Sequence, residues 1–403
     1  MSNMPRFTLS EICENITDGS HFSPQLTNDG YPYITVRDIV EDSINFADCK
    51  YVNEQDYRKL AGNGCKPSKG DVLFSKDGTV GKVALVDTSR EFVVLSSLAI
   101  LRPDQSRVFP PYLKYALKSP EFLKVALGKK TGAAIRRIIL RNLKSIEVPL
   151  PPLAEQKRIV ALLDEAFACI DAAKAKTEAS LADAEESFNS LIDSQISCAS
   201  KGAHCVPLED LCDKNRVITY GVIKLGEPAR DGVYCLRCGN LKRLTIDLEG
   251  IRKIPDSLSK EYSRTVLRGG ELLVNVRGTL GGVCVAPSSM SGWNVAREIA
   301  VVPLQPGAMS AEYLSYHVAS TTSQAWLMGK RKGAAYVGIN IEDIRRLPIY
   351  LPSRKEQERI AGVLSEAQRH ASDLQNIYEK KTKKLLDLKS SLLTQAFAGE
   401  LTA

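Results

Sequence analysis

Along two proline-free stretches of the chain, apolar residues return at intervals of three and four. The first carries Ile159, Leu163, Ala166, Ile170, Ala173, Leu181, Ala184, Phe188 and Leu191. The second carries Ile360, Leu364, Ala367, Ala371, Leu374, Leu385, Leu388 and Leu392. This stripe is the pattern of helices that pack side by side along their length, so it predicts two long helices over residues 153–198 and 354–397. Both open alike, on Leu150-Pro151-Pro152-Leu153-Ala154-Glu155-Gln156-Lys157-Arg158-Ile159 and Leu351-Pro352-Ser353-Arg354-Lys355-Glu356-Gln357-Glu358-Arg359-Ile360, at one offset of 201. Proline at a helix mouth forfeits no hydrogen bond, and the Glu that follows suits the positive end of the helix dipole. Elsewhere, short β-rich runs at 71–74, 82–86 and 98–102, separated by Gly, Asn and Asp, predict strands and turns. Residues 111–127 and 311–328 predict further helices.

The repeat extends over nearly the whole chain. Leu9-Ser10-Glu11-Ile12-Cys13 matches Leu208-Glu209-Asp210-Leu211-Cys212. Gly70-Asp71-Val72-Leu73-Phe74 with Gly78-Thr79-Val80-Gly81 matches Gly270-Glu271-Leu272-Leu273-Val274 with Gly278-Thr279-Leu280-Gly281. Tyr112-Leu113 matches Tyr313-Leu314, and Gly132-Ala133-Ala134 matches Gly333-Ala334-Ala335. Offsets stay between 199 and 201, the mark of a tandem duplication of an approximately 200-residue unit. Each unit reads as about 150 residues of mixed structure followed by a long helix.

Charge adds a partner for each helix. Residues 153–198 hold four bases and nine acids, net −5, whereas 354–397 hold nine bases and six acids, net +3. Opposite charge favours pairing of the two helices with each other. If they pair antiparallel, the C-terminus returns toward the N-terminal domain and the helices, each roughly 65 Å long at ~1.5 Å per residue, act as a stiff ruler. Of the net charge of +7, the remaining regions then hold +9, which suits a polyanionic partner. No apolar run approaches the roughly 20 residues of a membrane span, and the N-terminus has no signal-peptide core, so a cytoplasmic protein is expected. The ten cysteines are expected reduced and mostly buried. Cys235 and Cys238 lack the second pair that a zinc site would need.

The repeated L-P-x-x-x-E-Q-x-R-I helix start, the G-T-x-G turn in the β-rich region and the doubled domain-plus-helix layout resemble the specificity subunit of type I restriction-modification systems. The resemblance covers essentially the whole chain. It implies an α+β fold of two tandem-repeated α/β target recognition domains, separated by two long antiparallel helices that form a coiled coil. The expected limits are 1–149 and 201–349 for the recognition domains, and 150–200 and 350–403 for the spacer helices. It further implies binding to a split site on double-stranded DNA, two methyltransferase (modification) subunits and restriction/translocase subunits as partners. S-adenosylmethionine, ATP and Mg would belong to those partners, with no cofactor and no catalysis on this chain.

The residues agree that chemistry lies elsewhere. An amino-methyltransferase needs a polar residue before Pro-Pro-Tyr, but Phe109-Pro110-Pro111-Tyr112 offers none and reads as a helix start. Neither Gly-Thr-x-Gly segment is followed by Gly-Lys-Ser/Thr, so each reads as a β-turn rather than a phosphate loop. Candidate DNA contacts are Thr17, Asp18, Ser20, His21, Lys76, Thr79, Arg136, Arg137 and Arg141 in the first domain, with Lys129 and Lys130 nearby. In the second they are Lys214, Arg216, Asn275, Arg277, Thr279, Arg297, Lys330, Lys332 and Asn340, with Arg331 nearby. Lys and Arg neutralise phosphates, and bidentate Arg, Asn or Gln selects bases. Candidate partner contacts are Glu155, Gln156, Arg158, Glu356, Gln357 and Arg359, with Phe188, Leu191, Leu392 and Phe397 at the far helix ends. The competing reading is a coiled-coil scaffold that binds only protein.

Overall fold

The computed structural model describes residues 4–20, 22–128, 137–331 and 338–401. The chain forms two compact units, one of Met1–Thr177 with Glu379–Ala403 and one of Glu178–Tyr378.

In the first unit, strands Cys13–Asp18, Leu98–Pro103, Val72–Ser75 and Val83–Leu85 make an antiparallel sheet in that spatial order. Strand side chains alternate between faces, and both faces here are covered. Val72, Phe74, Ala99 and Leu101 pack with Tyr112, Leu113, Ile159 and Leu163 of the flanking helices. Leu73, Leu98 and Ile100 face the other way, toward Ile34, Phe92 and Val94. Burial on both sides explains why Val72–Ser75 lacks the apolar-polar alternation of a half-exposed strand. A second sheet is ordered Val93–Val94, Tyr31–Ile34, Lys50–Val52, Leu26–Thr27.

The second unit repeats the plan. Its central sheet runs Thr219–Tyr220, Ile299–Val302, Leu272–Asn275, Val283–Val285, and its smaller sheet runs Arg252–Ile254, Val233–Leu236, Asn294–Val295. Leu272 and Val274 again face the helices while Leu273 faces the smaller sheet. In each unit a two-stranded ribbon, Arg6–Thr8 with Glu147–Pro149 or His204–Pro207 with Pro348–Leu351, leads the chain to a long helix.

The long helices span Leu153–Ser200 and Arg354–Ala398, 48 and 45 residues. Their pairing is antiparallel within each unit. In the first, Lys389 bonds Asp171 and the ring of Phe397 lies 5.2 Å from that of Tyr112. In the second, Arg359 donates to Gln195 at 3.1 Å. The expected helices at 111–127 and 311–328 are each broken in two, as Pro110–Lys118 then Pro120–Gly128 and Ala311–Ala319 then Thr321–Gly329. Pro120 forces Ser119 out of helical geometry, and Ser119 sits at ψ 142°. Ser320 achieves the same break by capping the next helix, its side chain accepting from Ser323 N.

Three of the cysteines, Cys169, Cys198 and Cys205, are exposed and four, Cys49, Cys65, Cys212 and Cys235, are buried. Burial pushes the Cys235 thiol up to about 12. No helix among the described residues is long and apolar enough to cross a membrane.

Candidate nucleic-acid interface

At one end of each central sheet, three features recur at matching positions. A glycine lets two backbones touch: a Cβ on Gly19 would lie 2.2 Å from Leu95 O, and one on Gly221 would lie 1.9 Å from Val295 O. The next residue pairs across that contact, Ser20 with Leu95 and Val222 with Ala296. The Gly-Thr-x-Gly segment then forms a turn with Gly78, Gly81, Gly278 and Gly281 all at positive φ, where a side chain would be strained.

The turn is tied to the last residue of the preceding strand. Ser75 Oγ donates to Thr79 O at 2.7 Å and accepts from Lys82 N at 2.8 Å. Asn275 Nδ2 donates to Cys238 O, Leu241 O and Thr279 O at 3.1, 3.0 and 2.9 Å. Thr79 and Thr279 stand exposed at the turn tips. Asp77 bridges Arg137, and Arg277 bridges Gly338, at the same place in the two units.

Several expected contacts are committed internally. Asn275 is 1% exposed, and its amide is spent on the three carbonyls of the turn. Lys76 is 3% exposed and is held between Asp18 and Asp77 at 3.2 and 3.5 Å. Arg216 pairs with buried Glu271 at 2.8 Å and donates to Val266 O. The first unit reaches the same ion pair differently, with Arg102 on Asp71 at 2.8 Å. Ser20 is buried, its hydroxyl donating to Phe22 O, and Thr17 donates to Gly64 O. Asn275, Lys76 and Ser20 are buried, and breaking their internal bonds to free a donor would strand a buried charge or amide. Arg216 and Thr17 are partly buried and bonded within the fold.

Gln156 and Gln357 are likewise internal, 0% and 4% exposed. Gln156 Oε1 accepts from Phe109 N at 2.8 Å, while its Nε2 donates to Pro151 O and Arg107 O at 2.8 Å. Gln357 does the same with Ser310 N at 2.9 Å and Pro352 O at 2.9 Å. Each glutamine therefore latches the start of a long helix to the start of a domain helix. Glu155 and Glu356 turn to Arg158 and Arg359 one helical turn on, at 2.9 and 2.7 Å, and those arginine bonds hold the Glu356 carboxyl below its usual range. Phe397 is buried at 3%, and Phe188, Leu191 and Leu392 are partly buried against the cores.

Arg137, Arg141, Lys214, Arg297, Lys330 and Asn340 are exposed, and Arg277 is half-buried. The Lys330 ammonium lies 5.3 Å over the Trp326 ring. His21, Arg136 and Lys332, with Lys129, Lys130 and the two Gly-Ala-Ala segments, lie outside the described residues. Arg277 and Arg297 are brought together with Arg264, Tyr220 and Tyr262 around a cleft of about 620 Å³ in the second unit. Arg264 was not legible beforehand: it stands in a Ser-Arg-Thr segment with no match in the first repeat.

Known proteins share this architecture over its full length. The family model of the type I restriction modification DNA specificity domain matches twice, at residues 1–181 and 207–383. The EcoBI specificity subunit of Escherichia coli is 25% identical over 96% of this chain and 84% of its own length. The EcoKI specificity subunit of Escherichia coli strain K12 is 24% identical over 99% and 89%. Among solved structures, one on complex assembly and conformational transition of the type I R-M system matches at a TM-score of 0.70 with 18% identity, covering 99% of this chain and all of that one. The HsdS subunit from Thermoanaerobacter tengcongensis matches at 0.52 and 18%, covering 99% and 98%. With both repeats matched by one family model and the doubled fold shared end to end, the chain belongs to the family of type I restriction-modification DNA specificity subunits.

Proposed function

We propose that the chain reads a bipartite target on double-stranded DNA and recruits the enzymes that act there, performing no chemistry itself. The observation that carries this is the doubling: one sheet, one glycine contact, one Gly-Thr-x-Gly turn and one glutamine latch occur in each unit, and a continuous helix, Leu153–Ser200, runs from one unit into the other. On this reading residues 1–149 and 201–349 are the two recognition domains, with 150–200 and 350–403 the spacer. Thr79, Arg137, Arg141, Lys214, Arg277, Thr279, Arg297, Lys330 and Asn340 are the contacts that remain accessible. The Glu155–Arg158 and Glu356–Arg359 pairs would face two modification subunits, with restriction/translocase subunits joining them. Phe109-Pro110-Pro111-Tyr112 supports a non-catalytic role: it opens the helix Pro110–Lys118, and Tyr112 is buried with its hydroxyl on Pro149 O at 2.8 Å. S-adenosylmethionine, ATP and Mg would be bound by the partners.

Gel-shift titration of the chain reconstituted with its modification subunits tests the reading. Salt-sensitive binding that prefers one bipartite duplex over scrambled sequence is expected. Equal affinity for all duplexes would favour the protein-only scaffold.

A further inference from the structure

The two units differ where their folds agree best. Tyr220 pairs with Ala300 in the second unit as Asp18 pairs with Ala99 in the first. Arg277 occupies the bridge position that Asp77 occupies. Arg297 N bonds Val222 O at 2.9 Å as Ser96 N bonds Ser20 O at 3.1 Å, so Arg297 stands where Ser96 does. The first unit thus presents two carboxylates there, with Lys76 buried between them. The second presents guanidinium groups.

Those guanidinium groups have no carboxylate to satisfy them among the described residues, even though Glu261 stands on the cleft wall. Each nevertheless leaves from anchored backbone. Arg277 lies 5.3 Å over the Tyr220 ring, whose hydroxyl donates to Ile339 O at 3.2 Å and accepts from Ile341 N at 3.0 Å. Arg264 precedes buried Thr265, whose hydroxyl donates to Asn294 Oδ1 at 2.7 Å. Three arginines aimed at one space repel each other, and an arginine fork presents only donors. Such an arrangement is completed by a ligand rich in acceptor oxygens or nitrogens.

Resting on the DNA-reading function above, we infer that the cleft lined by Tyr220, Tyr262, Arg264, Arg277 and Arg297 takes an acceptor-rich edge of the duplex at the second half-site. The acceptors are phosphate oxygens or the O6/N7 edge of a guanine. The matching position of the first unit, where Asp18 and Asp77 flank a single buried Lys76 and leave net negative charge, takes no such edge. The two half-sites are therefore held by chemically unlike contacts despite one shared fold.

The test uses the full chain with its modification subunits and duplexes carrying the target found by methylome sequencing. Arg264→Ala, Arg277→Ala and Arg297→Ala are compared with Lys replacements at the same positions, after thermal unfolding shows that each variant is folded. At least tenfold weaker binding is expected for each alanine variant. If the ligand is phosphate, Lys restores most of the affinity and the slope of log affinity on log salt falls by about 0.9 per lost contact. If it is guanine, Lys restores little, and 7-deazaguanine in the second half-site reproduces the loss in the wild type without adding to it in the variant. Wild-type affinity and selectivity in all three alanine variants, beside a wild type that discriminates its target, would overturn the inference alone. A wild type that discriminates nothing would overturn the DNA-reading function beneath it.

Discussion

Gln156 and Gln357 show how a repeated residue can mislead about its task. Their recurrence beside charged Glu and Arg suggests a docking surface, but both side chains point inward and hold a helix start in each unit. A motif repeated for folding and one repeated for binding look alike in sequence, because neither reports which way a side chain points. Gln156→Ala leaves the Phe109 N–H buried without an acceptor, a cost of about 1–3 kcal/mol. Gln156→Glu restores that acceptor but sets a carboxylate against the carbonyls of Pro151 and Arg107, and is expected to be worse. Chemical denaturation measures both. Unchanged stability with lost binding of modification subunits would return Gln156 to the docking surface.

The repeat also exposes a single-residue difference. Where the first unit has Ala116, the second has His317, 2% exposed, with Nε2 accepting from Tyr350 N at 3.2 Å. Burial disfavours the imidazolium and pushes its pKa down from 6.5 to about 4. The unfolded chain then binds the proton more readily than the folded one, so stability is complete above pH 6.5 and falls as the pH drops toward 4. The loss is on the order of 3 kcal/mol. His317→Ala should flatten the acid limb of a plot of unfolding free energy against pH. An unchanged limb would place the acid sensitivity elsewhere.

At the scale of elements, the long helices were the most legible part of the chain. A stripe of period three to four without proline, between a Leu-Pro start and the chain's next turn signal, needs no tertiary information. The shorter helices were less so: Pro120 stands in plain view within 111–127 and breaks the first, whereas Ser320 breaks the second by a cap that an apolar run does not show. The strand Val72–Ser75 was legible as a β-rich run bounded by turn residues rather than by alternation, since both faces are buried, and Leu272–Asn275 follows from it only through the repeat. The paired carboxylates Asp71 and Glu271 carry another lesson: their arginines come from different strands or loops in the two units, so matching one repeat to the other could not identify Arg216 as structural. The spacer role is testable on one element. Four residues of helical sequence inserted in Leu153–Ser200 and four in Arg354–Ala398 add about 6 Å to each at ~1.5 Å per residue. The unread gap between half-sites should lengthen by one or two base pairs while both half-sites stay the same. Altered half-sites with a constant gap would refute the spacer.

For the whole molecule, duplication is the fact from which the rest follows. Two copies of one recognition fold can hold two unrelated half-sites, because the buried frame recurs while side chains around it, such as Asp77 and Arg277, differ. Gly19 and Gly221, the two Gly-Thr-x-Gly turns and the two glutamines keep the frame. Asp18 against Tyr220 and Asp77 against Arg277 vary on it. This separation explains why the family and fold could be read from the sequence more readily than the contacts: several expected DNA contacts, Thr17, Asp18, Ser20, Lys76, Arg216 and Asn275, are bonded within the fold.

The account is tested most directly by replacing residues 1–149 with the corresponding domain of a different specificity subunit and sequencing the methylome of cells carrying the intact system. One half-site should change to that of the donor, with the other half-site and the gap retained. A methylation pattern unchanged by the swap, or one altered in both half-sites at once, would contradict the assignment of one half-site to each unit.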